Sequence, residues 1–304
     1  MNGTIDFGTI ALGAPAGGEL LILGATGCLG GALVDAALQA GHRVVAVGRD
    51  VDALAALQAR HPAAGDALAT LQAGIARDAD AAELVARLRM RGRPLTGVIA
   101  AIRGAPVRAR LLDQPEDFLR QRLDEDLLPH LFAARRLLPL LAEHAGAGYV
   151  LIGGPGADQP WAGYGHHSIV AAALRMLARV LHDEARTVGV RVHLLGVDAP
   201  MRTDDNAQHA CPGWPQVGAV ARHALALLDR DTAPRDAVVR YTAAPAAPAL
   251  RPDVLRSDDI DASDQRATPA MPIAVGDRDR DAARRLLRDI AAAPRPRTDN
   301  TLLP

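Results

Sequence analysis

LLILGATGCLGGAL, residues 20–33, decides the fold of this chain. Four consecutive aliphatic residues ending at Leu23 are too short for a helix and read as a strand buried on both faces. Glycines follow at 24, 27 and 30, and an amphipathic helix is expected over residues 31–40, stopped by Gly41. A strand that runs through glycines into a helix leaves the helix N-terminus open. Backbone N–H groups and the helix dipole there favour a phosphate, and glycine lets the main chain approach it. Thr26 adds a hydroxyl donor. A second apolar strand at 43–47 closes one β-α-β unit.

The alternation continues. Helices are expected at 52–60, 79–91, 117–144 (with a bend near Pro129 and Pro139), 167–187 and 217–228. Strands are expected at 69–75, 97–102, 149–152 and 190–197. This succession implies an α/β fold, a Rossmann-type doubly wound parallel sheet with helices on both faces. The organisation expected is an N-terminal arm at 1–18, a dinucleotide-binding and catalytic-type domain at 19–230, and a partly irregular C-terminal extension at 231–304. That extension contains TAAPAAPALRP and a helix at 279–292.

The spacing Gly24-x-x-Gly27-x-x-Gly30, with the strands and helices around it, resembles the short-chain dehydrogenase/reductase superfamily in its atypical and extended branches. The likeness runs from about residue 19 to 228. It implies that a nicotinamide dinucleotide lies against Gly24, Thr26, Gly27, Cys28, Leu29 and Gly30. It also implies contacts with Ala100 and Ala101 after the fourth strand, and with Pro200 and Thr203 after the sixth. At the end of the second strand, VVAVGRD, an acidic side chain would hold a ribose 2′-hydroxyl and an arginine a 2′-phosphate. Arg49 comes first and favours NADP, while Asp50 keeps NAD as the alternative.

The family's catalytic residues are largely exchanged. Its asparagine corresponds best to Asp126, and its serine falls on Gly153 and Gly154. The Tyr-x-x-x-Lys pair maps either onto Tyr164 and Ser168 or onto Gly163 and His167, so the lysine is missing in both registers. Tyr164 as proton donor with a protonated His167 as electrostatic helper is the most useful pair on offer. The loop after the sixth strand brings Met201, His209 and Trp214 as pocket candidates. The resemblance thus implies an NADP(H)-dependent oxidoreductase acting on a small carbonyl or alcohol. The alternatives are a non-catalytic dinucleotide-binding or partner protein, or a redox-neutral isomerase, dehydratase or cyclase on the same scaffold.

Composition narrows the partners. The 304 residues carry a formal net charge of -1 and 3% aromatic residues, which gives no basis for a nucleic-acid surface. The first 19 residues hold no Lys or Arg before their apolar positions, unlike a secretory signal, and no apolar run approaches the roughly 20 residues of a membrane span. Two cysteines, Cys28 and Cys211, offer neither a disulfide framework nor a metal-ligand pattern. A cytoplasmic protein with a small-molecule substrate is expected, and by resemblance a homodimer or homotetramer.

Overall fold

The computed structural model describes residues 18–104, 107–161 and 163–242; the N-terminal arm to residue 17 and the helix expected at 279–292 lie outside them. Seven strands form one sheet: β1 (Glu19–Leu23), β2 (Arg43–Gly48), β3 (Leu68–Gln72), β4 (Leu95–Ala100), β5 (Gly148–Gly153), β6 (Arg191–Gly196) and β7 (Val238–Arg240). Their order is β3-β2-β1-β4-β5-β6-β7, with every neighbouring pair parallel. The order reverses between β1 and β4, so the helices leave the carboxyl edge in opposite directions there and open a crevice above the sheet.

The helices are α1 (Cys28–Gln39), α2 (Val51–Ala59), α3 (Asp78–Met90), α4 (Phe118–Asp126), α5 (Leu128–Leu141), α6 (Gly165–Arg186) and α7 (Val217–Ala226). One face of the sheet is covered by α3, α5 and α6 through Leu84, Leu137, Leu141, Leu174 and Leu181. The other is covered by α1 and α7 through Leu33, Ala37, Val220 and Ala224. Each buried leucine contributes about 2 kcal/mol by removal from water. The alanines on these faces let α1 and α7 pack close together.

Beyond end shifts of one to three residues at most strands and helices, three differences from the sequence reading matter. Helix α1 begins at Cys28 rather than near 31, because Gly27 takes the extended N-cap conformation (φ -76°, ψ 166°) and the helix carries Gly30 and Gly31 inside it. The single helix expected at 117–144 is two helices meeting at Leu127 (φ -110°, ψ -54°). Pro129 sits in the first turn of α5, where no N–H is needed, and cannot donate back into α4. Pro139 lies within α5 without ending it. The sheet also gains β7, inside the segment read as irregular extension. Three residues, VVR, are too few to show a strand period, and their place comes from pairing Val238 and Arg240 with Leu194 and Gly196 of β6. Among the described residues no helix is long and apolar enough to cross a membrane.

Candidate active site

The turn between β1 and α1 is built by two glycines that nothing else could replace and one that the chain itself does not require. Gly24 has φ +75°, and a Cβ there would lie 2.3 Å from the Ala101 carbonyl oxygen. A Cβ on Gly30 would lie 2.0 Å from the carbonyl oxygen of Gly24, so the helix could not come down onto the turn. Gly27 is different: its φ is ordinary, and an added Cβ would meet only the Gly24 oxygen at 3.4 Å. It sits exposed at the N-cap of a helix that has no side-chain cap and no acidic residue in its first turn. The space a Cβ would take there is a cradle facing outward, and the uncapped N–H groups above it suit an anion. The residues fit a dinucleotide's pyrophosphate.

Around that turn the expected residues assemble. Thr26 packs against Gly48 of β2, Cys28 opens the helix with its thiol exposed, and Leu29 contributes backbone while its side chain joins the core. Ala100 ends β4, and the Ala101 amide donates to the Leu23 carbonyl at 3.0 Å, which fixes the second wall of the crevice. At the end of β2, Asp50 caps α2 by accepting from the amides of Asp52 (2.9 Å) and Ala53 (3.1 Å). Arg49 is exposed and makes no ion pair among the described residues. Beside it opens a cleft of about 260 Å³, lined by Arg49, Gln72, Gly74, Asp80, Glu83 and Arg87. The α3 residues of this cleft carry no signal in the sequence, since only the fold brings them beside β2.

The other half of the crevice lies over β4, β5 and α6. A small cavity of about 40 Å³ is lined there by Arg103, Asp126, Gly154 and His167 together with apolar residues of α6. Asp126, almost wholly buried, accepts from the Gly104 amide through Oδ1. Its Oδ2 has no hydrogen-bond partner among the described residues and lies 3.9 Å from His167 Nδ1. Among the described residues, His167 Nε2 and both ring nitrogens of His166 are also buried without hydrogen-bond partners. Burial, then the neighbouring His166 and Arg103, pushes the His167 imidazole down to about 4, against the pull of Asp126. That shift favours the neutral imidazole, against the expectation of an imidazolium. A residue buried between a second histidine and an arginine gains too little from one carboxylate to stay charged.

Tyr164 stands at the N-cap of α6, half-buried, with its ring 5.9 Å from that of His167 and stacked on Trp161 at 4.4 Å. It is held by a bridge to Ala109, whose amide donates to the Gly163 carbonyl at 2.9 Å. Ser168, the other candidate for the lysine position, is turned away to accept from the Trp161 amide at 2.8 Å. Gly154, rather than Gly153, faces the cavity: a Cβ on Gly153 would press into Leu194 at 2.9 Å, whereas one on Gly154 would meet only the Arg103 guanidinium at 3.4 Å. Arg103 thus reaches the place where a side chain at 154 would sit, a placement the sequence reading did not anticipate. Pro200 and Thr203 follow β6 and start a loop closed at its base by Arg202 and Gln216. Asn206 staples this loop, accepting from the Thr203 amide at 2.9 Å and donating to the Met201 carbonyl at 3.0 Å.

A model of the short chain dehydrogenase family matches residues 19–209. Among solved structures the chain is similar to a short-chain type dehydrogenase/reductase from Mycobacterium ulcerans, with a TM-score of 0.67 and 20% identity over 73% of this chain and 87% of that one. It is similar to RhlG from Pseudomonas aeruginosa, solved as an active-site complex with NADP, with a TM-score of 0.67 and 21% identity over 76% and 97% of the two chains. A third similar structure is the NADPH-bound short chain oxidoreductase from Pseudomonas aeruginosa PAO1 containing an atypical catalytic center. Its TM-score is 0.66, with 18% identity over 76% and 98%. No curated protein matches the chain.

Proposed function

The chain belongs to the short chain dehydrogenase family, and from that premise we propose that it is an NADP(H)-dependent oxidoreductase acting on a small carbonyl or alcohol. The observation that carries the cofactor choice is the division of labour at the end of β2. Asp50, the residue that would grip a ribose 2′-hydroxyl, caps α2 through Oδ1, while Arg49, without an ion pair among the described residues, can meet a 2′-phosphate. Two similar solved structures are complexes with NADP or NADPH.

The bound nucleotide would supply the hydride. The chain supplies the rest: Tyr164 donates its hydroxyl proton to the carbonyl oxygen as that oxygen becomes an alcohol, and the imidazole of His167 lies 5.9 Å from the phenol ring. Asp126 holds the main chain at Gly104 and faces His167 Nδ1. The Arg103 guanidinium, over Gly154, provides the donor that a serine at that position would have offered to the substrate oxygen.

Gly154 and Asp126 also favour a second reading. A site that has exchanged the family's serine, asparagine and lysine fits a redox-neutral conversion or plain nucleotide binding. We also propose self-association through the outer face of α6, where Ile169, Met176 and Val180 are exposed apolar residues at helical spacing. Two exposed free thiols, Cys28 and Cys211, support a reducing, cytoplasmic setting.

The experiment is a titration with NADPH and NADH followed by nucleotide fluorescence, with Gly27→Asp alongside, and then a screen of carbonyl compounds for NADPH consumption. Saturable NADPH binding that Gly27→Asp removes is expected. So is turnover that Tyr164→Phe abolishes while binding persists. Product formed without any change in cofactor absorbance would move the assignment to redox-neutral chemistry, and turnover retained in Tyr164→Phe would remove Tyr164 from the mechanism.

A further inference from the structure

The cleft beside Arg49 holds a second arginine, contributed by α3. Arg87 reaches back along its helix and donates from Nη1 to the carbonyl oxygen of Gln72 at 2.6 Å. Gln72 ends β3, pairs in register with Gly48, and donates through Nε2 to the Arg49 carbonyl at 3.2 Å. One residue therefore fixes both arginines: its main chain holds the Arg87 guanidinium, and its side chain holds the backbone of Arg49. The guanidinium keeps donors beyond the one given to Gln72, since it carries five N–H groups in a rigid fork.

The acidic residues of the cleft do not cancel this charge. Asp80 is already answered by Arg77, whose Nη2 lies 2.7 Å from its Oδ1, and Glu83 has no ion-pair partner among the described residues. Two arginines then stand against one free carboxylate in a space of about 260 Å³, which has room for a phosphate and its water. With a pyrophosphate at the N-terminus of α1, the adenosine of a dinucleotide would lie over β2, with its ribose near the end of that strand, where Arg49 lines this cleft. A ribose 2′-phosphate carries between one and two negative charges near neutral pH, more than one guanidinium offsets.

We propose that Arg87 is a specificity-determining residue that closes on the 2′-phosphate of NADP(H) from the α3 side while Arg49 meets it from β2, with Glu83 holding the affinity down. The proposal rests on the NADP reading above and extends it to residues on α3. A clamp with arms on β2 and α3 places one cation on each side of the phosphate. That arrangement distinguishes NADP from NAD more sharply than Arg49 alone, which can also stack on adenine in either nucleotide.

The test is equilibrium binding of NADPH and NADH, read by nucleotide fluorescence, to the full chain and to Arg87→Met, Arg87→Lys and Glu83→Gln, each checked for an unchanged melting transition. Losing a charge-assisted contact in Arg87→Met should weaken NADPH about tenfold and leave NADH within about twofold. Arg87→Lys should recover part of the loss, and Glu83→Gln should tighten NADPH a few-fold. Equal losses for both nucleotides, or no loss for NADPH, would overturn the role of Arg87. If Arg87→Met melts lower, 2′-phosphoadenosine and adenosine titrated against Glu83→Gln decide instead: no gain for the phosphorylated nucleoside overturns the clamp. A wild-type chain that binds NADH as tightly as NADPH overturns the NADP reading itself, and one that binds neither removes the dinucleotide site.

Discussion

The crevice above the sheet has two halves that follow different rules. Over β1 and β2 the site is made of main chain: glycines whose absent side chains let a helix start touch a strand, and N–H groups that face outward. Over β4, β5 and α6 it is made of side chains, and those have been exchanged, with Asp126, Gly154 and His167 gathered around one small cavity. A backbone site is enforced by sterics, because the wrong residue prevents the fold from closing. A side-chain site is enforced only by the chemistry it performs, so the fold remains intact while the chemistry changes.

The largest effect that tests this division is at Gly30. A Cβ there lies 2.0 Å from the Gly24 oxygen and 2.7 Å from the Ala25 Cα, both main-chain atoms that cannot swing aside. Gly30→Val should cost about 4 kcal/mol or leave no folded protein, measured by urea unfolding. Gly27→Ala, only three residues away, should unfold within about 1 kcal/mol of the parent, because its Cβ meets nothing closer than 3.4 Å. If both variants are equally stable, the turn is not sterically enforced and the contrast between the halves fails.

The next effect belongs to the side-chain half and is read against pH. His130, fully buried, has its imidazole pushed down to about 4 by burial, with its Nε2 hydrogen-bonded to the Ile102 carbonyl at 3.1 Å opposing the shift. His167 is pushed down to about 4 as well. Both groups bind protons more readily in the unfolded chain, where a histidine titrates near 6.5. Stability is thus full above the unfolded value and falls as pH drops from there toward about 4. For His130 the whole window is worth on the order of 3 kcal/mol. His130→Gln, which keeps a donor for Ile102, should flatten that acid slope. A slope unchanged in this variant would mean that other groups carry the acid sensitivity.

How much of this the sequence discloses follows the same boundary. The β1–α1–β2 unit is legible because its constraints are local: an apolar run, glycines at fixed spacing, and a second apolar run. The place of Arg49 follows from being the residue after a strand. The α4–α5 break was half legible, since Pro129 marks it, but which prolines interrupt a helix depends on where the turn begins. The cavity was not legible. Asp126 and His167 stand far apart in sequence and meet only because α4 and α6 pack side by side, and the downward shift of His167 comes first from burial and then from neighbouring cations. Strand β7 is made by its partner, since nothing in Val238–Arg240 sets it apart from the irregular sequence around it.

The smallest effect is expected where the family's serine is missing. Gly154 does not have a positive φ, and the nearest atoms to an added Cβ are the tip of the Arg103 side chain at 3.4 Å, which is free to swing away. Gly154→Ser should therefore change the melting transition by less than about 0.5 kcal/mol in equivalent stability. The same substitution at Gly24 faces φ +75° and a carbonyl 2.3 Å away, and should be among the most damaging in the molecule. A differential scanning calorimetry trace for each variant decides the matter. A costly Gly154→Ser would mean that glycine at 154 is a requirement of packing and not a chemical exchange. A silent one would show that the fold accepts either glycine or serine at 154, beside the Arg103 guanidinium.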